Sequence, residues 1–366
     1  MNAAPTLAAV MICIPDSQSG PARVKGKQQG EGNMFSLGKI MLAAGAATTL
    51  LTGAASAQEK PFNIYIGYSA GGGYDVYGRI LARHINRHLP GNPNVVVNNM
   101  PGAGSMRLAN WLYNVAPKDG NVIGTFARGI AFDTLLGQPG AQFDAVKYNW
   151  IGSANDEVSV CVAWHTSGVT TFEQVLQKEL VVGGTGGSAD TDQFPKVFNS
   201  VLGAKMRIVA GYPGGNDINL AMERGEVSGR CGWSWSSVIS TQPGWLKEKK
   251  INVLVQLSLE KHPDLPNVPI ITDFAKDEIT KGVFRLVFAR QVMGRPFAAP
   301  PGTAPERIAI IRKAFMDTLK DPQLLAEAEK AQLEITPVSG EVVQKLVEEA
   351  YSMPPEVVKR TIEALR

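Results

Sequence analysis

Residues 67–79, Gly-Tyr-Ser-Ala-Gly-Gly-Gly-Tyr-Asp-Val-Tyr-Gly-Arg, constrain this chain more than any other stretch. They follow an apolar run, Phe62 to Tyr68, that reads as a strand. They open a second run, Val76 to Leu89, whose apolar positions recur near a 3.6-residue period and read as a helix. A glycine-rich turn between strand and helix aims free backbone N–H groups at one point, and the positive end of the helix dipole adds to them. A second turn of this kind follows at Asn99-Met100-Pro101-Gly102-Ala103-Gly104-Ser105. Two such turns in quick succession predict a cleft for a small anion, most simply a carboxylate. The residues expected to face it are Ser69, Ala70, Gly71, Gly72, Gly73, Tyr74 and Asp75 in the first turn. In the second they are Gly102, Ala103, Gly104 and Ser105.

The rest of the chain repeats the rhythm. Strands are predicted at Asn63–Tyr68, Asn94–Asn98 and Val122–Phe126, with helices at Asp75–Leu89 and Ser105–Val115 between them. Leu180–Gly183 and Arg207–Ala210 read as strands. Each is followed by a glycine-rich turn, Gly184–Ser188 and Gly211–Asp217, and then a helix. In the last third, Thr303-x-x-Glu306 reads as a capping box and Asp321-Pro322 as a helix start. Gln332–Thr336 reads as a strand and Glu341–Tyr351 as a helix; Pro354-Pro355 breaks the chain before a helical tail. Alternating strands and helices give an α/β fold. Two halves, each with two such turns, predict a facing-lobe architecture.

Residues 34–57 read as a secretory signal. Lys39 supplies the charge, Ile40 to Leu51 the apolar core, and Ala55-Ser56-Ala57 a small-x-small cleavage site. Residues 1–33 lack periodicity and read as an extension or a mis-assigned start, and Cys13 lies within them. Removing both leaves about 300 residues, enough for two domains with cores. The +3 net charge is small and scattered, which argues against a nucleic-acid partner. Cys161 and Cys231 remain; in an exported chain they are expected to form a disulfide, with two buried thiols as the alternative.

Several residues carry two readings. Asp75 could orient a ligand donor, or favour the helix start and pair with Arg79 one turn later. Ser69 and Ser105 could donate to a ligand or cap helices. Tyr212 could offer a ring and hydroxyl to a ligand, or lie in a lobe core. Trp233 shares a strand face with Trp235, as a cleft wall or as core. His84 and His88 have the spacing of a metal pair but no third ligand, so no metal is expected. Cys161 with His165 is a poor nucleophile pair on an oxidised strand, so no catalytic residue is assigned. The first turn lacks both the G-x-G-x-x-G form and a P-loop lysine, so no nucleotide cofactor is expected.

Taken in order, these motifs resemble the Bug/TctC family, the extracytoplasmic solute-binding receptors of tripartite tricarboxylate transporters. Gly71-Gly72-Gly73-Tyr74-Asp75 with Arg79 is similar to its first-turn motif, and Asn99 to Gly104 to its second. Ala116-Pro117-Lys118-Asp119-Gly120 resembles its proline-aspartate-glycine turn, with Lys118 inserted. Gly186-Gly187-Ser188 and Tyr212-Pro213-Gly214 resemble its two second-lobe turns. Pro263 to Pro269, Pro301 to Pro305 and Lys320-Asp321-Pro322 resemble later segments. The resemblance implies a two-lobed, type II-like periplasmic-binding-protein fold, each lobe a sheet flanked by helices. Lobe 1 would be 61–159 plus 258–366 and lobe 2 would be 160–257. It implies a periplasmic, monomeric receptor that delivers a small organic carboxylate to membrane permease subunits; a ligand-sensing subunit or an exported enzyme are the alternatives. Second-lobe contacts would be Thr185, Gly187, Ser188, Thr191, Tyr212, Gly214 and Trp233. Thr191 stands where the family often has histidine, and Pro213 where it has a basic residue, while Asp190, Asp192 and Asp217 lie close by. These departures favour one or two carboxylates with hydroxyl or amino groups over a tricarboxylate.

Overall fold

The computed structural model describes residues 60–366. Residues 34–57, read above as a secretory signal, residues 1–33, read as an extension or a mis-assigned start, and Cys13 lie outside the described residues. Two sheets organise the fold, and each is flanked by helices. The first contains β1 (Phe62–Ile66), β2 (Val95–Asn99), β3 (Val122–Thr125), β4 (Asn149–Ser153), β10 (Pro296–Ala299) and β11 (Val338–Ser339), in the order β11-β4-β10-β3-β1-β2. The second contains β5 (Ser159–Trp164), β6 (Leu180–Gly183), β7 (Met206–Val209), β8 (Gly229–Ser234) and β9 (Ile251–Leu257), in the order β7-β6-β8-β5-β9. The chain leaves the first sheet after β4, builds the second, and returns at β10.

In the first sheet β1 pairs parallel with both β2 and β3. In the second β6 pairs parallel with β7 and β8. Parallel neighbours need a crossover helix, and α1 (Gly73–Ile85) and α2 (Met106–Asn114) supply it in the first sheet. Helix α1 buries Tyr77, Ile80, Leu81 and Ile85 against Phe62 and Ile64, as its sequence period predicts. Ligand crevices in such sheets form outside the carboxyl ends of parallel strands.

Two sequence expectations fail here. Gln332–Thr336 is irregular rather than a strand; pairing starts only at β11, beyond Pro337. Proline restricts the residue before it, and the Thr336 side chain is engaged with Asp156 instead. Thr303 does not cap a helix. Its hydroxyl donates to the Pro300 carbonyl at 3.0 Å, and the helix Pro305–Thr318 starts from Ala304 with proline at its first position. The Asp321 cap does form, accepting from the Gln323 N–H at 2.8 Å.

Cys161 and Cys231 face each other across the antiparallel β5/β8 pair and form a disulfide that spans 70 residues of chain. Closing a loop of that length should stabilise by about 4 kcal/mol in the chain-entropy account. Replacing both cysteines by alanine should therefore lower the denaturant midpoint sharply. A variant with an unshifted midpoint would mean the bridge adds nothing to stability.

Candidate functional site

A cavity of about 50 Å³ lies between the two sheets. A buried water needs roughly 10–15 Å³ on this measure, so the space suits a few waters or one small organic molecule. From the first sheet, Tyr68, Gly72, Gly73 and Tyr74 reach it after β1, and Ala127 and Arg128 after β3. From the second, Thr185 reaches it after β6, and Arg230, Gly232 and Ser234 along β8. Ala189, Asp190 and Thr191, at the start of the helix Asp190–Leu202, close one side; Gly215, Ser237 and Arg295 complete it.

The first turn is built as a donor loop. Gly71 takes φ +83°, which lets the chain turn sharply out of β1. The Asp75 carboxylate locks the turn: it accepts from the Gly71 N–H at 2.8 Å, from Arg79 Nε at 2.8 Å and from Asn99 Nδ2 at 2.8 Å. Its acidity is raised because these donors outweigh its burial. Asp75 and Arg79 thus hold the loop and do not line the cavity. The first amides of α1 have no intrahelical acceptor, and Gly73 and Tyr74 bring them to the cavity wall.

The second turn closes against the opposite sheet. The Gly104 N–H donates to the Thr185 carbonyl at 2.9 Å. Ser105, fully buried at φ +77°, donates to the Gly67 carbonyl at 3.1 Å and accepts from the Ala127 N–H at 3.2 Å. Gly102 and Ala103 lie beside it, away from the cavity lining. Ser69 makes a comparable tie, donating from Oγ to Asp217 Oδ2 at 2.7 Å and from its N–H to Pro213 O at 3.2 Å. Gly214, at the start of the helix Gly215–Glu223, abuts Ser69. Ser188 and Gly187 sit behind the cavity, near Asp133 and Gln138.

Tyr212 and Trp233 are also away from the cavity. Tyr212 lies half-buried over the second-sheet core, its hydroxyl 3.5 Å from Glu226. Trp233 is buried under Arg230, 4.5 Å from guanidinium carbon to ring centroid, and against Trp245. Trp235 does not share its strand face, because β8 ends at Ser234 and Trp235 begins a helix. His84 and His88 pair with Glu327 and Asp321. Among the described residues no group of three or more His, Cys, Asp or Glu is placed to hold a metal ion.

What sequence reasoning missed is a set of buried arginines. Arg128 donates from Nε to Asp190 Oδ2 at 2.7 Å and from Nη2 to Ser234 Oγ at 2.7 Å. Arg295 donates to Ser234 at 2.9 Å, Ser236 at 3.0 Å and Ser237 at 2.7 Å, with Glu157 3.4 Å away. Among the described residues, Arg230 has no acid beside it. Its Nη1 donates to the Gly215 carbonyl at 3.1 Å and to Asn219 Oδ1 at 3.0 Å, and its buried Nε has no partner. Burial pulls its pKa down to about 9, Tyr68 opposing and Arg295 adding to the shift. Besides the backbone donors that the glycine-rich turns predict, three guanidinium groups from distant parts of the chain line this cavity. The detectable signal was Arg230 itself, a charged residue inside the buried run Gly-Arg-Cys-Gly-Trp.

Behind the cavity, Asp133 accepts from Gln193 Nε2 at 3.1 Å. Burial pushes its carboxyl up to about 7, against the pull of Ser188, Arg290 and Gln193. A raised carboxyl pKa means the folded state keeps a proton that the unfolded chain releases near pH 4. Its stabilising contribution is complete below that pH and is lost as pH rises toward 7, at about 1.4 kcal/mol per pH unit. Asp133→Asn should flatten the stability profile over this window, measured by denaturant titration at successive pH values. Parallel profiles for variant and parent would rule the group out.

No family model matches the chain. It is 26% identical over 271 residues to a UPF0065 protein from the tcbD-tcbE intergenic region of Pseudomonas sp. (strain P51), covering 66% of this chain and 73% of that one. Among solved structures, the periplasmic binding protein BugD superposes with a TM-score of 0.67 at 18% identity, covering 84% of this chain and 98% of BugD. MatC from Rhodopseudomonas palustris, solved with bound malate, gives 0.65 at 16% identity, covering 84% and 99%. The fold is that of the Bug/TctC periplasmic binding proteins, as the sequence resemblance implied. No helix among the described residues is long and apolar enough to cross a membrane.

Proposed function

We propose that this chain is a periplasmic solute-binding receptor of the Bug/TctC type, which captures a small organic carboxylate between its two sheets and hands it to the membrane permease of a tripartite tricarboxylate-type transporter. One observation carries the anionic ligand: Arg230, buried and without a counterion, on the cavity wall. A buried cation of this kind is costly unless something negative joins it. The helix-start amides of Gly73 and Tyr74 face the same space from the other sheet and favour the same charge. Lobe 1 as residues 61–159 plus 258–366 and lobe 2 as 160–257 is the division this reading uses. Closure of the two around the anion gives the permease a distinct ligand-loaded shape to recognise.

The similarity to malate-bound MatC supports a carboxylate, and that to the periplasmic binding protein BugD supports export. The direct test is a thermal-shift panel of mono-, di-, tri- and hydroxycarboxylic acids. A ligand at 100 times its Kd should stabilise by about 2.7 kcal/mol. A panel in which no acid raises the melting temperature would sink the reading.

A further inference from the structure

The cavity walls say more than "anion". Resting on the receptor reading above, we propose that the ligand is a short hydroxy acid, with a carboxylate on Arg230 and one or more hydroxyl groups between Asp190 and the Tyr74, Ser234 and Ser237 hydroxyls.

The argument is one of matching donors and acceptors. The Tyr74 hydroxyl accepts from the Arg128 backbone N–H at 3.2 Å. Ser234 Oγ accepts from both Arg128 and Arg295, and Ser237 Oγ accepts from Arg295. An oxygen that accepts from such donors points its own O–H elsewhere, and none of the three has a protein acceptor among the described residues. All three line the cavity, so each offers it a donor. Asp190 offers the opposite. Oδ2 takes the Arg128 Nε bond, while the buried Oδ1 accepts no hydrogen bond, with Arg290 Nε 3.3 Å away as an ion-pair neighbour.

A group that fits must donate to Asp190 and accept from the hydroxyls. A ligand hydroxyl does both. A carboxylate only accepts and would meet Asp190 with like charge. An ammonium only donates and would leave the three O–H groups facing a cation. A methylene does neither, and among the described residues Ala127 and Ala189 are the only wholly apolar side chains on the wall. The one cation lacking an acid, Arg230, then takes the single carboxylate.

Calorimetry with two matched sets tests this: glycerate, serine and propanoate; gluconate and hexanoate. In the set that fits, the hydroxy acid should bind at least about tenfold more tightly than its alkyl or amino counterpart, because the wall's polar groups are otherwise left unpaired. Tyr74→Phe and Ser237→Ala should each collapse that ratio, whereas a purely structural loss would weaken all ligands together and keep it. An alkyl or amino acid that binds as well as the hydroxy acid overturns the proposal. So does an unchanged ratio in both variants. If neither set binds but a carboxylate without hydroxyl groups in the thermal-shift panel does, the hydroxy-acid class is wrong and the receptor reading stands. If nothing in the panel binds, both fall.

Discussion

Gly104→Val is expected to abolish ligand capture, with no measurable binding at concentrations that saturate the parent. Gly104 sits at φ +65°, and a Cβ there would lie 2.7 Å from the Gly186 carbonyl oxygen and 2.8 Å from the Ala189 nitrogen. Both are backbone atoms of the opposite sheet's turn, which cannot swing aside as a side chain could. The Gly104 N–H also donates to Thr185 O, so this is a point where the two turns join. Valine would hold them apart, and the ligand would lose contact with one wall. The left-handed backbone alone costs a non-glycine residue about 1–2 kcal/mol, which must be separated from the clash. Gly203→Val provides that control. Gly203 has φ +70° but nothing within 4 Å of its Cβ position, so it should lose stability and keep its affinity. Equal affinity in both variants would mean that the Gly104 contact is not part of closure. Gly72, by contrast, has extended backbone and only the Gly215 nitrogen at 3.7 Å, so alanine fits there without a clash.

The contrast between these glycines shows what a sequence can and cannot disclose. The strand-turn-helix units around Gly71–Tyr74 and Gly102–Ser105 were legible because period, apolar run and glycine cluster are local signals. So was the Asp75–Arg79 pair, which is a matter of helix spacing. The disulfide was legible because only two cysteines, Cys161 and Cys231, follow residue 57. Contacts between the turns were not legible. Gly104 against Gly186 and Ser69 against Asp217 join residues on different sheets, and nothing in either segment specifies the other. The arginines were missed for the same reason. Arg128 follows β3, Arg230 belongs to β8 and Arg295 immediately precedes β10, so they are isolated in sequence and a search for basic clusters passes over them. Trp233 misled because alternation in a strand says which residues share a face, not which face meets the cleft. Trp235 did not share it at all, since the strand ends between them.

Arg230→Met should separate binding from stability in opposite directions. In the free protein Arg230 is a buried cation that lacks a counterion, held by a carbonyl, an amide oxygen and the Trp233 ring. Replacing buried charge with an apolar side chain of similar length is often neutral or stabilising, by about 1–4 kcal/mol. Methionine can lie along Trp233, where sulfur–aromatic contact is favourable. Against this stand the Gly215 carbonyl and Asn219 Oδ1, which lose a donor at roughly 1 kcal/mol each. The balance predicts an unliganded variant as stable as the parent, or more so. Binding should go the other way. A desolvated carboxylate with no guanidinium to meet it forfeits a charge-assisted pair, so affinity should fall by about a hundredfold or more. Arg230→Lys should recover only part of it, since an ammonium cannot reproduce the planar fork. Denaturant titration without ligand and calorimetry with the best acid from the panel read the two effects separately. A variant that unfolds more easily yet binds normally would identify Arg230 as a structural cation and return the anion to the amides of Gly73 and Tyr74 alone.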